Sequence, residues 1–101
     1  MEVKMEIRVQ SIKFDADKKL LDFIDKKVSK LSKYNDAITD VEVVLSLLPD
    51  HENKNVKIFV SIMGEGSLVV ERKSNTFENA VVDCVDVLKE QLVKKKQKAL
   101  K

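Results

Sequence analysis

Polar and apolar residues alternate at the start of the chain: Val3, Met5, Ile7 and Val9 fall on one side, Lys4, Glu6, Arg8 and Gln10 on the other. A period of two is the mark of a strand with one wet face, so residues 3–11 are expected to form one. The stretch "KFDAD" breaks the alternation. Asp15 or Asp17 can cap a helix there, because a short carboxylate accepts the free N–H groups of the first turn. Leu21, Ile24, Val28 and Leu31 then recur at helical spacing, which predicts a helix from about Asp17 to Lys33. After the turn "YNDAITD", residues 38–48 are rich in Val, Ile and Leu: Val41, Val43, Leu45 and Leu47 alternate with Glu42, Val44, Ser46 and Leu48. A strand apolar on both sides near its end belongs inside a sheet.

"LPDHENKN" reads as a polar loop. In "VKIFVSIM", Val56, Ile58, Val60 and Ile62 alternate with Lys57, Phe59, Ser61 and Met63. "GEG" makes a tight connection, since glycine accepts positive φ without a steric cost. "SLVVERK" returns as the second strand of a hairpin. Asn75 and Glu78, three apart before an apolar run, resemble a capping box. Phe77, Val81, Cys84, Val85, Leu88 and Leu92 then recur at helical spacing, so a last helix starts near Thr76 and runs into the terminal lysines. The order is β-α-β-β-β-α. A helix between the first two strands favours a parallel pair, and the later strands meander. The fold class expected is α+β, a four-stranded mixed sheet with two helices on one face and Lys4, Arg8 and Lys57 on the wet other face.

Length and composition restrict the function. The 101 residues suit one domain, 1–101, large enough for a single core. With 44% hydrophobic and 36% charged residues, the chain is too apolar for disorder and has a heavily charged surface. No apolar run approaches the roughly 20 residues that span a bilayer, and the start lacks the marks of a signal peptide. The single cysteine cannot form an intramolecular disulfide, which fits a reducing cytoplasm. The expected location is therefore cytoplasmic, with no membrane partner.

Candidate chemistry is thin. His51 lies in the polar loop with no orienting group or pocket suggested, so it reads as an exposed loop residue. Cys84 falls on the apolar stripe of the last helix and reads as a small core residue. Asp83 and Asp86 beside it do not give metal-ligand spacing with a histidine. "GEG" joins two strands and lacks the Walker pattern, so it is no phosphate loop. No catalytic residue, metal, cofactor or small-molecule substrate is expected, and so no enzyme.

Charge distribution says more than the net charge of +2. Lys19, Lys26, Lys30 and Lys33 cluster on one side of the first helix, diluted by Asp22 and Asp25, with Lys27 nearby. Lys89, Lys94, Lys95, Lys96, Lys98 and Lys101 crowd the end of the chain against Glu90 alone. The pattern fits equally a solvated helix face, aided by Glu90–Lys94 pairing and the helix dipole, and a surface that faces phosphate. No aromatic platform interleaves with the lysines, so backbone and shape recognition of structured RNA fits better than base stacking.

The stretches "IRVQSIKFDADKKLLDFIDKKVSKLSKY" and "NTFENAVVDCVDVLKEQLVKKKQK" resemble the opening and closing segments of the bacterial ribosome hibernation promoting factors, also called ribosome-associated inhibitors or sigma-factor modulation proteins. The element order agrees, and the resemblance spans essentially the whole chain. Ala80, Leu88, Gln91, Leu92 and Lys94 match the family's closing helix, and Lys27, Lys30 and Lys33 match basic positions of its first helix. Asn75 stands for Asp and Phe77 for Tyr. Val87 replaces a usual Lys and Glu90 a usual Arg.

The resemblance implies an architecture like a double-stranded-RNA-binding domain and a short-form hibernation factor. Such a factor binds the small ribosomal subunit and its ribosomal RNA in the channel used by messenger and transfer RNA. It acts by occupancy, excludes both RNAs, and stabilises idle ribosomes in starvation or stationary phase. Taken with the lysine stripes, the RNA-binding set expected is Lys26, Lys27, Lys30, Lys33, Arg72, Lys73, Lys89, Gln91, Lys94, Lys95 and Lys98. The protein is expected to be monomeric off the ribosome, with its basic end, about residues 94–101, frayed. An RNA-binding module with another target, or a protein-interaction module using the sheet face or the edge hairpin, remains open.

Overall fold

The computed structural model describes residues 6–12, 14–34, 37–49, 54–64 and 66–99, with side chains as far as Lys94. The elements are β1 (Glu6–Ser11), α1 (Lys18–Ser29) continued by a 3-10 turn (Lys30–Lys33), β2 (Ile38–Leu47), β3 (Lys54–Ile62), β4 (Gly66–Ser74) and α2 (Phe77–Ala99). The strands form one sheet in the order β1-β2-β3-β4. β1 runs parallel to β2, with Ile7 opposite Val41 and Val9 opposite Val43. β2–β3 and β3–β4 are antiparallel. The α+β mixed sheet expected from the order is therefore present, and the apolar β2 is an inner strand.

Both helices cover one face. Val41, Val43 and Leu45 of β2, Val56, Ile58 and Val60 of β3, Ile24, Val28 and Leu31 of the first helical segment, and Ala80, Val81, Cys84, Leu88 and Leu92 of α2 are all fully buried. Together they make one contiguous core. The open face carries Arg8, Glu42, Lys57 and Phe59. Arg8 pairs with Asp40 across β1–β2 at 3.0 Å, and the Lys57 ammonium lies 5.1 Å from the Phe59 ring centroid.

Several local details differ from the sequence expectation. The α1 stripe contains Leu20, 8% exposed, and not Leu21, 38% exposed. The two lie about equally far, roughly 50°, from the axis of Ile24, Val28 and Leu31, so the sheet beneath and not the helix period chooses between them. Leu47, placed on the core side by alternation, is 47% exposed because it ends its strand. Lys54 and Asn55 belong to β3 and not to the preceding loop.

The caps of the two helices differ in outcome. Asp17 caps α1: its Oδ1 accepts from the Leu20 N–H at 2.9 Å. For α2 the cap is Thr76 and not Asn75. Thr76 Oγ1 accepts from the Asn79 N–H at 3.1 Å, and its carbonyl accepts from the Ala80 N–H. The capping-box spacing from Asn75 fails by one residue, since only Thr76 immediately precedes the first helical residue.

Gly64 has φ 82° and Gly66 φ 87° on either side of the β3–β4 connection, a backbone conformation that other residues adopt only with strain. Phe14, before α1, stacks on Phe77 at the start of α2, with ring centroids 5.0 Å apart. Tyr34, after the 3-10 turn, meets Lys89 twelve residues further along α2. The two helical segments therefore run in the same direction across the sheet. Val3, Met5, Lys4, His51 and the last residues, 100–101, lie outside the described residues.

Candidate nucleic-acid interface

The first helical segment supplies one wall of the interface. Its buried stripe turns the remaining positions outward, leaving Lys26, Lys30 and Lys33 exposed and Lys27 half-buried. The Lys27 ammonium sits 5.6 Å from the Phe23 ring centroid. α2 supplies the other wall. Anchored by Leu88 and Leu92, it turns Lys89 toward the first segment, where its ammonium lies 5.3 Å from the Tyr34 ring centroid. A cation over a ring is attracted by the quadrupole, which holds both lysine heads in place while leaving them charged.

These side chains line one notch of about 150 Å³ between the helices, bounded by Lys27, Lys30, Tyr34, Val82, Val85, Asp86 and Lys89. Three lysines and one aspartate thus line the notch together with two valines and a tyrosine. Positive side chains held between low-dielectric walls focus their field outward, which suits a polyanion. An anion entering here would meet donors on both sides.

The expected set is only partly gathered. Lys27, Lys30 and Lys89 line the notch, and Lys26 and Lys33 are exposed on the same first helical segment. Lys94 does not line the notch: it lies about 140° around α2 from Lys89, pairs with Glu90 at 3.5 Å, and borders a separate open hollow with Asp86, Lys89 and Val93. Glu90, the position where the resemblance expects Arg, therefore contacts an adjacent lysine. Gln91 is exposed on α2. Arg72 and Lys73 do not share a face. Arg72 pairs with Val56 and lies on the helix side of the sheet, whereas Lys73 pairs with Asn55 and lies on the open side. Lys95 and Lys98 fall within α2, but their side chains lie outside the described residues.

Sequence reasoning missed Tyr34 and Asp86. Two rings do lie beneath lysines of this surface, although each is covered by an ammonium and neither offers a free stacking platform. Cys84 is fully buried, its Sγ 3.6 Å from the Val56 carbonyl, and desolvation by burial pushes the thiol up to about 12. Among the described residues no cluster of His, Cys, Asp or Glu could hold a metal, and no helix is long and apolar enough to cross a membrane.

Sheet order, helix placement and this basic interhelical notch define a small α+β domain with a cationic helical face. The chain belongs to the Sigma 54 modulation protein / S30EA ribosomal protein family, whose family model matches residues 7–100. It is 28% identical over 97 residues to a ribosome hibernation promoting factor of Azotobacter vinelandii, covering 95% of this chain and 87% of that one. Among solved structures it is similar to the N-terminal domain of Thermus thermophilus Protein Y, with TM-score 0.76, 25% identity, and 88% and 97% of the two chains covered. A ribosomal subunit interface protein from Coxiella burnetii shares the fold, with TM-score 0.80 at 20% identity over 91% and 98% of the chains.

Proposed function

We propose that this protein is a ribosome-binding hibernation factor of the cytoplasm. It occupies the messenger and transfer RNA channel of the small ribosomal subunit and keeps idle ribosomes intact in starvation or stationary phase. The observation that carries the reading is the convergence of Lys27 and Lys30 with Lys89, from segments far apart in the chain, into one notch. Family membership and the similarity to a ribosome hibernation promoting factor support the ribosome as the source of the phosphates.

The mechanism is occupancy without chemistry. Lysine ammonium groups neutralise backbone phosphates and release condensed counterions, and the rigid helical pair fixes their spacing. Ribosomal RNA already folded around the channel supplies the complementary shape, and contacts to its backbone need no base to be unstacked. While the domain is seated, messenger and transfer RNA find the same phosphates covered.

The test is sedimentation of the purified protein with isolated small ribosomal subunits, at low and moderate salt, with and without excess tRNA. Saturable co-sedimentation that tRNA suppresses is the expected result. Protein that stays at the top of the gradient under all conditions overturns the reading.

A further inference from the structure

We propose that Asp86 makes this interface selective for RNA, by accepting a hydrogen bond from a ribose 2′-hydroxyl. The inference rests on the RNA-binding reading above and deepens it. On a surface that served only to hold phosphate, a carboxylate sharing a notch with three lysines would be a defect, since it repels the ligand and weakens the local field. Yet Asp86 lines the notch with Lys27, Lys30 and Lys89. Its side chain is exposed, and among the described residues no ion pair or hydrogen bond holds it.

The donor and acceptor inventory of the notch gives that carboxylate a use. Lysine ammonium groups only donate, and Val82 and Val85 do neither. They can take phosphate oxygens and lie against the C–H edge of a sugar, but they cannot receive the proton of a hydroxyl. The acceptors on this lining are the Asp86 carboxylate and the Tyr34 hydroxyl, and of the two only the carboxylate is obliged to accept. A sugar–phosphate unit seated here therefore finds donors for its phosphate and one charged acceptor for its 2′-hydroxyl. That hydroxyl is the group by which a protein tells RNA from DNA. A deoxyribose would leave the carboxylate facing the phosphate with nothing in between. Asp86 thus lowers the affinity for any polyanion and restores it only for one that carries 2′-hydroxyls.

The experiment uses an RNA hairpin and its all-2′-fluoro version, which keeps the A-form shape and every phosphate but cannot donate from the 2′ position. Binding is read by fluorescence anisotropy at fixed low salt. The unaltered protein should prefer the RNA about tenfold, the scale of one hydrogen bond to a charged acceptor. Asp86→Ala should bind the two hairpins equally, with the fluoro hairpin bound more tightly than by the unaltered protein. Asp86→Asn, which keeps a carbonyl acceptor, should retain a preference. Equal binding of both hairpins by the unaltered protein overturns the proposal. So does a tenfold preference that survives in Asp86→Ala. Failure of the ribosomal reading is separable: it would appear as no tRNA-sensitive sedimentation with small subunits while the hairpin preference still depended on Asp86.

Discussion

Lys30 is the position at which one substitution tests the interface most cleanly. It opens the 3-10 turn, is exposed, lines the notch, and has no side-chain hydrogen bond or ion pair among the described residues. Removing its ammonium therefore changes the surface without disturbing the core. Lys27, Lys30 and Lys89 from the notch, with Lys26 and Lys33 exposed on the same first helical segment, can supply five phosphate contacts. Each contact contributes about 0.7–0.9 to the slope of log affinity against log salt, so the whole surface gives a slope of about −3.5 to −4.5. Raising salt fourfold, from about 50 to about 200 mM, should then weaken binding by roughly 130- to 500-fold. Lys30→Ala should flatten the slope by about 0.7–0.9, so that the same salt step costs about threefold less. Affinity for small subunits measured across a salt series, with circular dichroism to confirm the fold, decides the matter. Lys94→Ala is the control, because Lys94 is already paired with Glu90 and does not line the notch. A Lys30→Ala slope equal to that of the unaltered protein, with an unchanged spectrum, would refute the assignment of the notch to phosphate.

Other perturbations follow from the core and the caps. Thr76→Ala should cost about 1 kcal/mol in urea unfolding, because it removes the acceptor for the Asn79 N–H, whereas Asn75→Ala should cost much less. Leu88→Ala, at a fully buried position of α2, should cost about 2–5 kcal/mol in the same assay. The Cys84 thiol should resist disulfide reagents in the native protein at mildly alkaline pH and react only on unfolding. Its value rises from the ordinary 9.0 to about 12 on folding, so the folded state holds the proton longer, and stability should fall as pH climbs from about 9 toward about 12. Cys84→Ala should remove that part of the alkaline loss, measured by thermal melts across the range.

The sheet was legible because each strand has its own period-two signal. Val56, Ile58, Val60 and Ile62 declare their face without reference to any other element. The helices were legible for the same reason, but their edges were not. Leu20 and Leu21 fit the helix period equally, and Asn75 and Thr76 are both good caps. In each case a contact outside the local segment made the choice. The lysine stripes could be seen in the sequence, but not which lysines meet. Lys27, Lys30 and Lys89 become neighbours only when α1 packs beside α2, and Arg72 and Lys73 separate only when strand alternation is imposed on them. Tyr34 and Asp86 carry no signal of their own, since their setting is made entirely by residues distant in the chain.

The parallel β1–β2 pair has a consequence for how the domain comes apart. β2, β3 and β4 pair through local connections, but Glu6 must find Asp40 across the whole of α1. Contacts of that sequence separation demand loop closure before they return any stabilisation, so they form late and are lost together. The lysine notch is equally non-local, because Lys30 and Lys89 come from opposite ends of the chain. A partly folded chain that keeps only the β2–β4 meander would retain most of its strand content and no assembled binding surface. Affinity for the ribosome thus reports on the cooperative completion of the whole domain, and in a denaturant titration it should vanish no later than the helical signal does.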